Sequence, residues 1–138
     1  MRGLIDEFAP SQLRLITAVR RSLRKLLPTA YEVVYEYRNL GAVVLSFSPN
    51  EHGYDGVVGI RATADSVRLY FSLGKELPDP EKRLRGSAQT RFIELDGTST
   101  LALPAVECLI VEAIARTRVP FAEIGSGPVI IRSTSAKK

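Results

Sequence analysis

Cysteine, histidine and long apolar runs are all scarce in this chain of 138 residues, and each scarcity closes off a class of function. Cys108 is the sole cysteine, so no intrachain disulfide can form, which fits a reducing compartment. It lies in an apolar helical pattern next to Glu107, with no cation placed to stabilise a thiolate. It therefore reads as a small buried residue rather than a nucleophile. His52, the sole histidine, stands near Glu51 and Asp55, but residues 49–56 are turn formers and read as a hydrophilic turn rather than a metal site. No run has the length a bilayer requires, and the N-terminal residues carry Asp6 and Glu7 where a signal peptide needs an apolar stretch. The expected location is cytoplasmic, with no membrane role.

Catalytic devices are missing as well. No serine has a nucleophile-elbow context. Gly125-Ser126-Gly127 lacks both the spacing of a phosphate loop and the helix that follows one. Glu32 and Glu36 share one face of a strand, but cross-strand salt bridges to Arg61 or Arg68 account for them without catalysis. Without a nucleophile, base and orienting group, no enzyme is expected, and no cofactor or metal with it.

What the chain does contain is core. Hydrophobic residues make up 45%, enough to exclude disorder, and the length suits one domain, residues 1–138. A helix is expected from Pro10 or Ser11 up to Pro28, with Ser11 as N-cap. Leu13, Ile16, Val19, Leu23, Leu26 and Leu27 form its apolar stripe, and Arg14, Arg20, Arg21, Arg24 and Lys25 occupy the opposite side. Period-two alternation then predicts strands over 31–37, 42–48, 57–64 and 67–73, joined by short turns as an antiparallel meander, and a further strand over 91–95 after a rigid loop. A second helix opens at Pro104. Its face carrying Cys108, Val111 and Ala115 is also apolar, so the tail, with Phe121 and a β-like run over 128–132, is expected to cover it. The fold class is α+β: a two-layer sandwich of N-terminal helix, antiparallel sheet and C-terminal helix, plus a short tail. On this reading the sheet face away from the helices carries Glu32, Glu36, Arg61, Arg68, Tyr70 and Glu94.

The loop between the last two strands stands out. Pro78 and Pro80 stiffen it, residues 81–85 suggest one helical turn closed by Gly86, and Lys75, Lys82, Arg83, Arg85 and Arg91 surround it. Arginine's planar fork suits carboxylate or phosphate, so these five residues form the candidate ligand-binding set.

Residues 67–74 (VRLYFSLG), Leu77-Pro78-Asp79-Pro80, Leu84-Arg85-Gly86 and Arg91-Phe92-Ile93 together resemble the hallmark stretch of the YdhG-like domain family. Residues 27–32 (LPTAYE) and Leu103-Pro104-Ala105-Val106 extend the likeness over about 10–117, with 118–138 as an added tail. The resemblance implies a small cytosolic bacterial domain of the frataxin-like group, one branch of which is thought to act as an iron chaperone. Frataxin-type iron binding uses an acidic ridge on the first helix, whereas this helix has five cations and no acid between Ser11 and Pro28.

The expected function is a non-enzymatic binding domain for an anionic small molecule or an acidic protein, with a frataxin-like iron or metal chaperone as the alternative. The net charge of +4 permits such partners. Nucleic acid is disfavoured, because the expected outer sheet face offers a single stacking aromatic, Tyr70. The chain leaves a homodimer open.

Overall fold

The computed structural model describes residues 8–52, 56–87, 89–117, 119, 121–122, 125 and 127–134. Helix α1 (Pro10–Leu26) is followed by strands β1 (Tyr31–Tyr37), β2 (Ala42–Ser48), β3 (Val58–Ala62), β4 (Val67–Phe71) and β5 (Arg91–Glu94). Helix α2 (Pro104–Ala115) and strand β6 (Val129–Thr134) complete the order. The strands form one open sheet in the order β5-β4-β3-β2-β1-β6.

Strands β1 to β5 pair antiparallel in sequence; short turns join β1 to β2 and β3 to β4, whereas residues 72–90 form a long loop between β4 and β5. The sheet is nevertheless mixed rather than wholly antiparallel, because the tail supplies β6, which runs parallel to β1 from Glu32↔Val129 to Tyr37↔Thr134. Gly127 permits this entry: a Cβ there would collide with the carbonyl of Ala30, so only glycine lets the two segments graze.

Both helices lie on one face. Ile16, Val19 and Leu23 of α1 and Val106, Leu109, Ile110 and Ala113 of α2 join Leu45, Phe47, Ile60, Leu69 and Phe71 in a single core. Each such side chain contributes about 1.5–3 kcal/mol by leaving water. The start of α1 differs from expectation. Pro10 occupies the first turn and Ala9 the N-cap, with no side-chain cap bond, so Ser11 is inside the helix. The expected helical turn over 81–85 is likewise absent. There the Asp79 carboxylate accepts hydrogen bonds from the backbone N–H of Arg83 (2.9 Å) and Leu84 (2.8 Å), bracing a non-helical loop.

The apolar side of α2 stays uncovered by the described tail: Cys108 and Ala115 are exposed and Val111 is 55% exposed. The tail instead adds an edge strand, with Phe121 packing partly on the core. Cys108 is therefore a surface thiol rather than a buried residue. Ser133 and Thr134 extend β6 beyond the β-like run expected over 128–132, and 135–138 lie outside the described residues.

Candidate functional site

The register separates two charge arrangements on the two faces of the sheet. Glu32 and Glu36 do not point outward with Arg61 and Arg68. They alternate with Tyr31, Val33, Tyr35 and Tyr37, and the core-facing parity belongs to Glu32, Val34 and Glu36. Glu32 is fully buried. Its partners come from α1: Arg20 Nε donates to one carboxylate oxygen, and Arg24 donates to the other from Nε (3.0 Å) and Nη2 (2.8 Å). Arg24 also reaches the Gly127 carbonyl (3.4 Å), linking α1, β1 and the entry to β6. Glu36, also buried, lies 4.0 Å from the Arg38 guanidinium. The spacing of Arg20 and Arg24 puts both on one flank of α1, where two forks can hold one carboxylate. Two of the five helix cations are thus structural. A depression of about 430 Å³ lined by Thr17, Arg20, Arg21, Arg24 and Lys25 lies over this clasp.

The face turned away from the helices is built in cross-strand rows. One row runs Tyr35, Val44, Arg61, Arg68, Glu94 across β1 to β5, and the next runs Val33, Ser46, Gly59, Tyr70, Phe92. Arg61 and Arg68 are therefore directly opposed, a like-charge pair that costs stability. Arg68 is compensated: its Nε donates to Glu94 Oε1 at 2.7 Å, and its guanidinium lies 4.2 Å from the centre of the Phe92 ring. Among the described residues the Arg61 side chain has no carboxylate or hydrogen-bond partner.

Tyr70 shapes the floor. Its ring end lies over Gly59, where an added Cβ would come within 2.5 Å of Cζ and the hydroxyl oxygen. Gly59 is needed for this close approach, and Tyr70 in return covers backbone that glycine leaves bare. Burial pushes the Tyr70 phenol up to about 12, against a smaller opposing effect of its hydrogen bond with Ser46. Val44, Arg61, Arg68, Tyr70, Thr90 and Phe92 enclose a shallow, mainly apolar hollow of about 300 Å³. Beside it, Tyr35 and Tyr37 stack with ring centres 6.4 Å apart and 22° between planes. Sequence reasoning counted one aromatic on this face. The alternation in β1 had already put Tyr35 and Tyr37 together opposite Glu32 and Glu36, and assigning the glutamates inward would have revealed them.

The loop cations are not gathered into one cluster. Lys82, Arg83 and Arg85 line a cleft of about 800 Å³ together with Glu81, Glu94 and Asp96, so its rim carries both signs. Arg83 is paired with Glu81 at 2.9 Å. Lys75 and Arg91 lie outside that cleft lining, and the stem of Arg91 packs on Gly74, where a Cβ would sit 2.5 Å from its own. Arg85 and Phe92 exchange backbone hydrogen bonds, an extra rung beside β5.

His52 lies 3.4 Å from Glu51, and Asp55 falls outside the described residues. Among the described residues no three of His, Cys, Asp or Glu converge to hold a metal, and no helix is long and apolar enough to cross a membrane. In comparisons with protein-family models, curated proteins and solved structures, nothing matches this chain.

Proposed function

We propose that this protein is a small YdhG-like, non-enzymatic binding domain for an anionic ligand, and that the ligand seats on the open sheet face at Arg61. The observation that carries the reading is the register pair Arg61↔Arg68, in which one arginine is balanced by Glu94 and the other by no acid among the described residues. An anion in the hollow relieves that repulsion, so part of the cost of opposing two cations returns as affinity. The hollow's apolar floor of Val44, Tyr70 and Phe92 suits a ligand that couples a flat ring to its charge. Titration with a nucleoside monophosphate, followed by amide chemical shifts, tests this. Shifts at Arg61, Arg68, Tyr70 and Phe92, abolished by Arg61→Ser in folded protein, are expected. Shifts that persist unchanged in Arg61→Ser overturn it.

A second seat is favoured by one backbone observation. Lys82 adopts φ 53°, a left-handed conformation that costs a lysine energy, at the lip of the cleft that Arg83 and Arg85 share. In this version the loop recognises an acidic partner, and Arg83→Ser with Arg85→Ser weakens capture without changing the melting temperature. Nothing comparable supports an iron chaperone, since the most deeply placed carboxylate, Glu32, is engaged by Arg20 and Arg24.

A further inference from the structure

The stacked Tyr35–Tyr37 pair lies outside the hollow yet on the same face, joined to it through the row Tyr35, Val44, Arg61. Neighbouring strands are about 4.8 Å apart, so this row places an aromatic platform about 10 Å from the uncompensated arginine. Farther along the row lie Arg68 and, in the adjacent row, Tyr70 and Phe92. The face thus sets rings on both sides of the Arg61–Arg68 pair, with Glu94 bound to Arg68 at the far end of the row. A single small anion uses the cation and one ring, and leaves the tyrosine pair without a purpose. A chain that repeats a flat base and a negative phosphate uses all of them.

We propose that the open sheet face binds single-stranded nucleic acid, with one base on Tyr35–Tyr37, a phosphate at Arg61, and a second base over the hollow formed by Val44, Tyr70 and Phe92. This rests on the anion-binding reading above and names its ligand class. Charge complementarity supports it, since the chain carries net +4 and the cation in the middle of the face has no acid of its own among the described residues. Base stacking on aromatic rings tolerates any sequence, and rings presented on an open sheet face can stack with the unpaired bases of a single strand but not with those of a duplex, which are turned inward.

Fluorescence anisotropy with short labelled oligothymidylate and oligouridylate tests the assignment across a salt series; the two arms tell DNA from RNA. Binding is expected to weaken linearly in log salt, with a slope of about −0.7 per phosphate neutralised. Tyr35→Ala and Tyr37→Ala should each weaken the oligonucleotide by roughly five- to a hundredfold. Both should leave the Arg61-dependent shifts from the nucleoside monophosphate in place. Tyr35→Phe and Tyr37→Phe keep the ring and should keep affinity, which guards against an alanine variant that merely folds poorly. Arg61→Ser should lower the slope by about one phosphate's worth. Equal binding of a duplex or of polyglutamate, or oligonucleotide affinity unchanged in both alanine variants, overturns the inference. If the mononucleotide binds through Arg61 and the oligonucleotide gains nothing over it, this inference falls and the simpler anion site stands. If neither binds, both fall.

Discussion

The α1–β1 junction and the outer face of β3–β4 hold arginines in opposite situations. At the junction two arginines converge on one buried carboxylate, each arginine itself about one-third exposed. On the outer face two arginines confront each other, and among the described residues only Arg68 has a carboxylate partner, Glu94. The first arrangement satisfies a charge that burial would otherwise make costly, and so belongs to stability. The second leaves a charge that the fold does not need. Charge density in the sequence is highest on the helix run, which is partly structural, while the arginine with no acid among the described residues is a single residue on a strand.

Breaking the junction should have the largest effect. Arg20→Ala with Arg24→Ala leaves Glu32 buried and unpaired, and is expected to cost about 3–5 kcal/mol in urea unfolding. Adding Glu32→Leu should recover much of that loss. If the triple variant is no more stable than the double, the clasp is not what holds the junction.

Tyr70 sharpens the outer face. Its folded pKa is raised above the ordinary value of 10.0 to about 12, so folding favours the neutral phenol. The stabilisation is full below pH 10 and is lost as pH rises through about 12, at most about 2–3 kcal/mol. Tyr70→Phe should be less stable at neutral pH by about 1 kcal/mol, through loss of the Ser46 bond, and should lack this alkaline decline. Parallel alkaline unfolding curves for the two proteins would refute the assignment. Gly59→Ala forces Tyr70 aside and crowds the Leu45 carbonyl, at about 1–3 kcal/mol. Combining it with Tyr70→Ala should be less than additive, because the second change removes part of the clash.

The smallest effect has the most telling sign. Arg61→Thr removes the like-charge opposition and places a strand former on β3, so the unliganded protein should gain about 0.2–1 kcal/mol at low salt. A stabilising change that abolishes anion binding is what a functional surplus predicts. A loss of stability would mean that Arg61 has a structural role.

Much of the architecture was legible. Both helices, the five-strand meander and the core parity of β2 to β4 follow from apolar periodicity, because burial of one face enforces it. Strand β1 defeated that logic. Its tyrosines looked like core and its glutamates like surface, since the alternation says which residues share a face but not which face is buried. Only the arginines on a different element decide the matter, and that pairing is tertiary. The tail escaped for a related reason: a parallel strand added from the far end of the chain has no turn signal to announce its partner. Of the outer sheet face, Arg61, Arg68 and Tyr70 were assigned to the open side from sequence, whereas Phe92 and the Tyr35–Tyr37 pair were not.

The parallel strand has a consequence for how the molecule assembles. Residues 38–128 must be gathered before β6 can find β1, so its loop-closure entropy is the largest of any pairing in the sheet, while β1 to β5 close through far shorter segments, the longest being residues 72–90. The meander and helices should therefore consolidate first and β6 should dock last, making it the unit that opens most readily from the native state. Amides of β6 should exchange with solvent ahead of those in β2 and β3. Each such opening bares the outer edge of β1, a momentary vacancy that an extended segment from another polypeptide can fill.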